Sequence, residues 1–323
     1  MIRAITILGI LSFSAWAESG PVRESSSPAI RGHTLPGFYN GYLYACDPGP
    51  SLSMGLQTRS SVTIFAPDGH MVSTFTIQGR GNGQVLVLAV GIDANGTSAI
   101  AWRDLPAAGI DIRDASGNLV RTIDTGRYIP AHLAFAGDHS LWAFGWQRGT
   151  AKLLNTDKVD YATVRKYSIE GKETGAYLPR SLFPPGLEPG MDDWQMRRIT
   201  VTSDRVGLDA VSGEDSSKRE WVELDLNGNL RGRWKIVPSD EFPGVAFTSD
   251  NQAYVQRYGG KNLSQAFRLD RATSMWEPVI APNAELYGAD GDKLVFARWT
   301  GDFIHLSWFP QPQISIAAST VGN

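Results

Sequence analysis

Short segments of alternating apolar and polar residues recur along most of the chain, separated by tight-turn sequences. The clearest copy is Trp221–Leu230, with the sequence WVELDLNGNL. Period-two alternation around Asp-Gly or Asn-Gly predicts a β-hairpin, because glycine accepts the positive φ that the turn requires. No apolar stripe with a 3.6-residue period is long enough to predict a helix. The pattern therefore predicts an all-β protein with very low helix content.

Two families of hairpins interleave along the chain. The first family occupies Val62–Val72, Ile110–Val120, Val164–Gly171, Trp221–Leu230 and, in a degenerate copy without its glycine, Phe267–Trp276. The turns of the second family usually lie between two apolar strands, at Asn40-Gly41, Asp93–Gly96, Gly137–His139, Ser203-Asp204, Ser249–Asn251 and Asp290–Asp292. Regular recurrence of this kind is typical of repeat architectures.

The first residues form a separate segment. One positive charge, at Arg3, precedes the uncharged run Ala4–Ala17, and Ala15-Trp16-Ala17 has small residues at the two positions that a signal peptidase reads. We expect a signal peptide over residues 1–17. The run of about 14 residues is too short for a hydrocarbon core, which needs roughly 20. We therefore expect an exported protein, in the periplasm or the extracellular medium, without stable membrane insertion.

The second hairpin family sets the number of repeats. It has six members, and removing 17 of the 323 residues leaves 306, or 51 per repeat. Four strands per repeat and six repeats predict a six-bladed β-propeller, formed by a single domain over residues 18–323. Closure of the ring removes exposed sheet edges. The fourth strand of the last blade comes either from Gln313–Ala317 or from the segment near Ala29-Ile30.

Two repeats have a proline just before an apolar inner strand. They are Ile129–Phe135, with the sequence IPAHLAF, and Phe242–Phe247, with the sequence FPGVAF. This motif resembles the strand opening of NHL-type repeats. Over most of residues 34–308 the chain is similar to the secreted bacterial six-bladed propellers of the NHL-like class. The resemblance implies a fold rather than an activity, since that class includes interaction modules as well as lactone hydrolases and amidating lyases.

Charge and metal-ligand residues exclude several functions. Lys plus Arg number 30 against 33 Asp plus Glu, which gives no basic field for nucleic acid. The single cysteine, Cys46, cannot form an intramolecular disulfide and is expected to be a small buried residue. A propeller metal site needs several converging ligands, and the five histidines fall on different kinds of element. We expect no metal and no cofactor.

The order of the strands assigns the loops to two faces of the disc. All tight turns share one face. The longer connections share the other, which we call the long-loop face; they lie at residues 78–84, 145–162, 178–196 and 211–220. Binding residues concentrate on variable loops that a rigid scaffold holds, so we expect a site on the long-loop face.

On that face, the second strand of four repeats ends with an aromatic residue near an arginine. Such a pair can stack on a sugar or flat ligand while pairing with a carboxylate. Alternatively, the rings pack between blades and the arginines lie over them at the rim. The four pairs are Trp102-Arg103, Trp146 with Arg148, Arg257-Tyr258 and Arg298-Trp299.

A second set of polar residues is predicted near the mouth of the central channel. His132 and Arg197 lie where innermost strands begin, and Asp192-Asp193 lies in the longest connection. They suit the acid–base work of a lactone hydrolase or lyase, although a hydrogen-bonded structural histidine and a solvated acidic loop are the more ordinary explanations. No HExxH, GxSxG or phosphate-loop motif occurs, and catalytic residues stay unassigned. The sequence favours a binding module for a protein, peptide or glycan over this enzyme.

Overall fold

Six antiparallel sheets of four strands each form the computed structural model of the protein. The structure describes residues 21–28, 37–47, 59–79, 85–104, 107–148, 160–191, 199–236, 244–257, 265–300 and 303–312. We call each sheet a blade and number the blades in chain order. The prediction of an all-β, six-bladed propeller is confirmed.

The first three blades follow the chain without interruption. Blade 1 comprises β2 Gly37–Tyr39, β3 Tyr42–Asp47, β4 Arg59–Phe65 and β5 Met71–Gln78. Blade 2 comprises β6 Leu86–Ile92, β7 Ser98–Asp104, β8 Ala107–Arg113 and β9 Leu119–Asp124. Blade 3 comprises β10 Tyr128–Phe135, β11 Leu141–Gln147, β12 Ala162–Tyr167 and β13 Glu173–Pro179.

The other three blades complete the ring. Blade 4 comprises β14 Ile199–Val201, β15 Arg205–Val211, β16 Arg219–Asp225 and β17 Leu230–Lys235. Blade 5 comprises β18 Gly244–Phe247, β19 Ala253–Arg257, β20 Gln265–Asp270 and β21 Met275–Val279. Blade 6 comprises β22 Glu285–Asp290, β23 Lys293–Thr300, β24 Phe303–Phe309 and, from the other end of the described chain, β1 Arg23–Pro28.

Helical structure is almost absent from the described residues. They contain one short 3-10 helix, Arg180–Leu182. None of their helices has the length and apolar character needed to span a membrane. The predicted signal peptide, residues 1–17, lies outside the described residues.

The N-terminal strand closes the last blade. β1 pairs antiparallel with β24, with Arg23 opposite Trp308 and Pro28 opposite Phe303. The Arg23 guanidinium also lies over the Trp308 ring, 4.6 Å from its centroid. Of the two candidates for this strand, the structure therefore uses the segment that ends just before Ala29. The other candidate, Gln313–Ala317, lies outside the described residues.

The tight turns have the backbone geometry that their sequences predict. Asn40 and Gly41 both have positive φ, 48° and 84°, as a two-residue hairpin turn requires. In the degenerate copy without glycine, Ser274 takes the positive φ, 58°. In the Asn227-Gly228 turn, Oδ1 of Asp225 accepts hydrogen bonds from the backbone N–H groups two and four residues later. A hydrogen bond from the Asn229 side chain, together with these backbone bonds, lowers the pKa of Asp225.

The blades pack face to face through large apolar side chains and a few buried charges. Trp221 of blade 4 meets Phe247 of blade 5 edge to face, with ring centroids 5.1 Å apart. The fully buried Glu223 accepts hydrogen bonds from Arg205 of its own blade (2.7 Å) and Arg271 of blade 5 (3.1 Å), which links the two blades. Cys46 lies in the core as expected, and burial raises its thiol pKa to about 12.

The pairing of β1 with β24 predicts that β1 stabilises the whole ring. A chain without residues 1–28 should unfold at a lower temperature than a chain without residues 1–20, which retains β1. Several ladder hydrogen bonds worth about 1 kcal/mol each are lost, so we expect the free energy of unfolding to fall by roughly 3 kcal/mol. Chemical denaturation of both chains measures the difference. Equal stabilities would show that β1 does not close the ring in solution.

Candidate functional site

Three arginines from two neighbouring blades lie close together on the long-loop face. Arg103 is near the end of β7 in blade 2, and Arg148 follows β11 in blade 3. Arg127 lies in the connection between the blades, where its guanidinium donates to the backbone oxygen of Arg148 (3.3 Å) and its own backbone oxygen accepts from the Arg148 N–H (2.8 Å). We call these three residues the arginine cluster.

The positive charge of Arg103 is poorly compensated by the described residues. Burial lowers the pKa of Arg103, and the charge of Arg148 lowers it further. The Arg103 Nε is buried and has no hydrogen-bond partner within the described part of the chain. Over the same residues, no carboxylate forms an ion pair with Arg103 or Arg127. A desolvated cation beside a second cation is costly unless an anion approaches it.

A buried carboxylate follows Arg103 in the sequence. Asp104 is 2% exposed, and neither of its oxygens has a hydrogen-bond partner among the described residues. Because successive side chains of a strand point to opposite faces, Asp104 is on the other side of β7 from Arg103 and does not neutralise it. The end of β7 thus carries two polar groups whose burial is poorly compensated.

The two tryptophans predicted beside these arginines pack inside the propeller. Trp102 is 5% exposed; its ring lies across Gly109, where no Cβ would fit, and its Nε1 donates to Asp111 (3.0 Å). Trp146 is 9% exposed and belongs to an apolar cluster with Ile129 and Tyr161. The indole faces are therefore occupied by protein, and the guanidinium groups are the parts of these pairs that a ligand can reach.

The other two predicted pairs belong to blades 5 and 6, across the ring from blades 2 and 3. Arg257 is half-buried, and its Nε lacks a hydrogen-bond partner among the described residues. Arg298 and Trp299 are exposed, Trp299 by 40%. Tyr258 lies outside the described residues. The structure thus brings together Arg103 and Arg148 but not all four pairs.

The predicted channel residues are only partly described. His132 is 7% exposed, and its ring packs against Phe144 with centroids 6.0 Å apart. Asp192, Asp193 and Arg197 lie outside the described residues. No cluster of three or more histidine, cysteine, aspartate or glutamate side chains in the described ranges is arranged to hold a metal ion.

A single arginine organises the long connection that follows β13. The Arg180 guanidinium donates to the backbone oxygens of Phe183 (3.1 Å), Pro184 (3.0 Å) and Leu187 (3.2 Å), and its Nε donates to Glu188 (3.0 Å). The hydroxyl of Tyr161 donates to the same carboxylate. Burial, followed by Glu188, raises the Tyr161 pKa well above its ordinary value, so the phenol stays protonated. Because Tyr161 also contacts the Trp146 cluster, this connection is joined to the base of the arginine cluster.

Sequence reasoning did not select Arg127, Asp104 or Arg180. Arg127 has no aromatic neighbour of the kind that marked the other arginines, but it directly precedes an innermost strand on the same face. Asp104 directly follows a selected residue at the end of a strand. Arg180 precedes a Pro- and Gly-rich segment whose backbone oxygens need donors. That segment could have indicated a role for Arg180 as their donor.

No family model and no curated protein matches the chain. Solved structures resemble it over most of its length at low identity. The Dos1 propeller is 8% identical, with 88% of this chain and 83% of that chain covered and a TM-score of 0.47. Streptogramin B lyase is 14% identical, with 85% of this chain and 78% of that chain covered and a TM-score of 0.48. A putative exported protein of Bacteroides fragilis is 11% identical, with 90% of this chain and 95% of that chain covered and a TM-score of 0.49. Similarities at this level transfer no activity.

The buried Asp104 predicts a stabilising substitution. Asp104→Asn removes a charge that no described donor solvates, so the thermal unfolding midpoint should rise by roughly 2 °C, as expected for a gain of about 1 kcal/mol. Asp124→Asn is the matched control, because Asp124 is exposed and its Oδ1 accepts from Gly126 N (2.8 Å). A lower midpoint for Asp104→Asn would show that the carboxylate has a partner in solution.

The bonds of Arg180 predict that it fixes the connection after β13. Arg180→Met should lower the free energy of unfolding by about 3 kcal/mol, because Glu188 loses its ion-pair partner and several backbone oxygens lose their donor. Limited proteolysis should then cut within residues 180–191. Tyr161→Phe, which leaves the Arg180–Glu188 ion pair intact, should have a smaller effect. Unchanged proteolysis of Arg180→Met would exclude this role.

Proposed function

We propose that the mature chain is an exported, NHL-like propeller that binds a protein, peptide or glycan partner through its long-loop face, and that the arginine cluster recognises an anionic group of that partner. The observation that carries the proposal is the convergence of Arg103, Arg127 and Arg148 from two blades, with Arg103 desolvated and without an ion pair among the described residues. The single positive charge at Arg3 and the uncharged run Ala4–Ala17 support export.

Guanidinium groups suit this role for two reasons. Arginine stays charged and presents donors in a planar fork that matches carboxylate, sulfate or phosphate oxygens. An arginine whose burial is already costly in the free protein gains more from an arriving anion than a fully hydrated one does. The packed indole of Trp146 and the Arg180 connection provide a rigid base, which lowers the entropic cost of binding.

The proposal predicts charge-selective binding that depends on the cluster. The protein should bind immobilised poly-L-glutamate or polygalacturonate, but not poly-L-lysine or dextran. Arg103→Gln and Arg148→Gln should each weaken binding roughly tenfold, the usual effect of losing one charge-assisted hydrogen-bond pair. Surface plasmon resonance at several salt concentrations measures both effects, and binding should weaken as salt rises.

Lys172→Gln is the control for the loss of one positive charge. Lys172 is exposed and lies in a tight turn on the opposite face, so its removal changes the net charge equally but leaves the cluster intact. Its affinity should equal that of the unsubstituted protein. If all three variants weaken binding equally, the interaction follows net charge, and the arginine cluster is not the site. If the protein binds neither poly-L-glutamate nor polygalacturonate, the proposal is also contradicted.

A further inference from the structure

A cavity of about 640 Å³ lies on the side of blade 6 that faces blade 5. Its wall is built from alternate residues of three strands, which places their side chains on one side of the sheet: Phe296 and Arg298 on β23, His305, Ser307 and Phe309 on β24, and Glu24 on β1. Pro282 and Ala284, from the connection between β21 and β22, form the opposite wall. The volume is in the range of small-molecule sites.

Blade 6 closes differently from the blades before it. In blades 2, 3 and 4, the turn between the third and fourth strands rests on the outermost strand of the preceding blade; for example, Gly228 of blade 4 lies against the ring of Tyr177 in blade 3. Blade 6 has no such turn, because its fourth strand comes from the N-terminal segment. Residues after β24 take the place of that turn, and Gln311 contacts blade 5 through Tyr254 and Asp250.

The wall of the cavity carries opposite charges that do not pair with each other. Arg298 Nε donates to the backbone oxygen of Asn283 (3.1 Å), which orients the guanidinium, but no described residue accepts from its two terminal nitrogens. Glu24 forms no side-chain hydrogen bond or ion pair with any residue in the described ranges. The cavity thus has one available cation and one available anion.

The strand register sets the separation of these charges. Ser26 of β1 is opposite His305 of β24, which is opposite Arg298 of β23. Glu24 is in the next row on the same face, opposite Ser307. Arg298 and Glu24 are therefore two strands apart, about 10 Å, and two residues apart along the strand direction, about 7 Å. Their long side chains span much of that distance, and a ligand with two charged ends bridges the remainder. The half-buried Phe309, which packs edge to face on the buried Phe296, offers an apolar surface beside them.

We propose that this cavity binds a small zwitterion of amino-acid or dipeptide size with an apolar side chain. Arg298 receives the carboxylate, Glu24 receives the ammonium group, and Phe309 contacts the apolar part. His305 lies beside Arg298 with its Nε2 joined to the Thr300 hydroxyl. Because Glu24 belongs to β1, the site is complete only when the N-terminal strand has closed the ring. Binding therefore joins β1 to β23 and stabilises closure by mass action.

The experiment compares ligands that carry both charges with analogues that carry only one of them. Leucine and leucyl-leucine are titrated into the full chain by calorimetry, alongside 4-methylpentanoate, which lacks the ammonium group, and 3-methylbutylamine, which lacks the carboxylate. One of the two zwitterions should bind at least about tenfold more tightly than either single-charge analogue. It should also raise the thermal unfolding midpoint. The size preference between leucine and leucyl-leucine shows which length the cavity takes. Absence of binding by both zwitterions at 10 mM, on the order of the weakest specific affinities, overturns the proposal.

Two substitutions assign the ends of the ligand. Arg298→Gln should weaken the zwitterion and 4-methylpentanoate alike. Glu24→Gln should weaken the zwitterion roughly tenfold and leave 4-methylpentanoate unchanged or tighter, because a repelling carboxylate is removed. Lys172→Gln and Glu170→Gln, both in an exposed tight turn of blade 3, are the charge-matched controls and should bind as the unsubstituted protein does. Equal effects of Glu24→Gln on all probes would contradict the assignment. Arg103→Gln, which tests the arginine cluster, should not alter this binding.

Discussion

A four-stranded antiparallel sheet with two apolar faces cannot bury both of them by itself, and the rest of this structure follows from that constraint. Each blade is covered by its neighbours, as Trp221 of blade 4 is by Phe247 of blade 5, and the series has no free face only when it closes into a ring. Closure then fixes which loops share a face. The arginine cluster exists because adjacent blades present equivalent strand ends, β7 and β11, at the same side of the disc.

Each hairpin is specified by a few residues that are adjacent in the sequence. The number of blades could therefore be predicted. Asn40-Gly41 and Asn227-Gly228 specify their turns within a few residues, and Ser274 shows that the fold imposes positive φ even where glycine is missing. The closing strand could not be identified in the same way. Residues 23–28, RESSSP, are polar and do not alternate, so they form a strand because β24 offers an unpaired edge and not because of their own pattern.

The sequence could predict those residues of the candidate site that lie at strand ends. It could not predict the features that depend on how distant residues pack together. Arg103 and Arg148 were marked by their position beside aromatic residues. The burial of Trp102 depends on Gly109 of the next strand, and the proximity of Arg127 depends on how the connection between blades folds back. The cavity beside Glu24 and Arg298 requires the register of β1 against β24, a contact between distant parts of the chain that no local pattern encodes.

The pairing of Arg23 with Trp308 also has a consequence for the order of folding. These partners are 285 residues apart, so β1, the first of the described strands, is the last to acquire its neighbour. Early blades can form hairpins from contacts close in sequence, whereas the final seam waits for nearly the entire polypeptide and pays the largest loop-closure entropy. Until β24 has formed, β1 has no strand of its own blade to pair with.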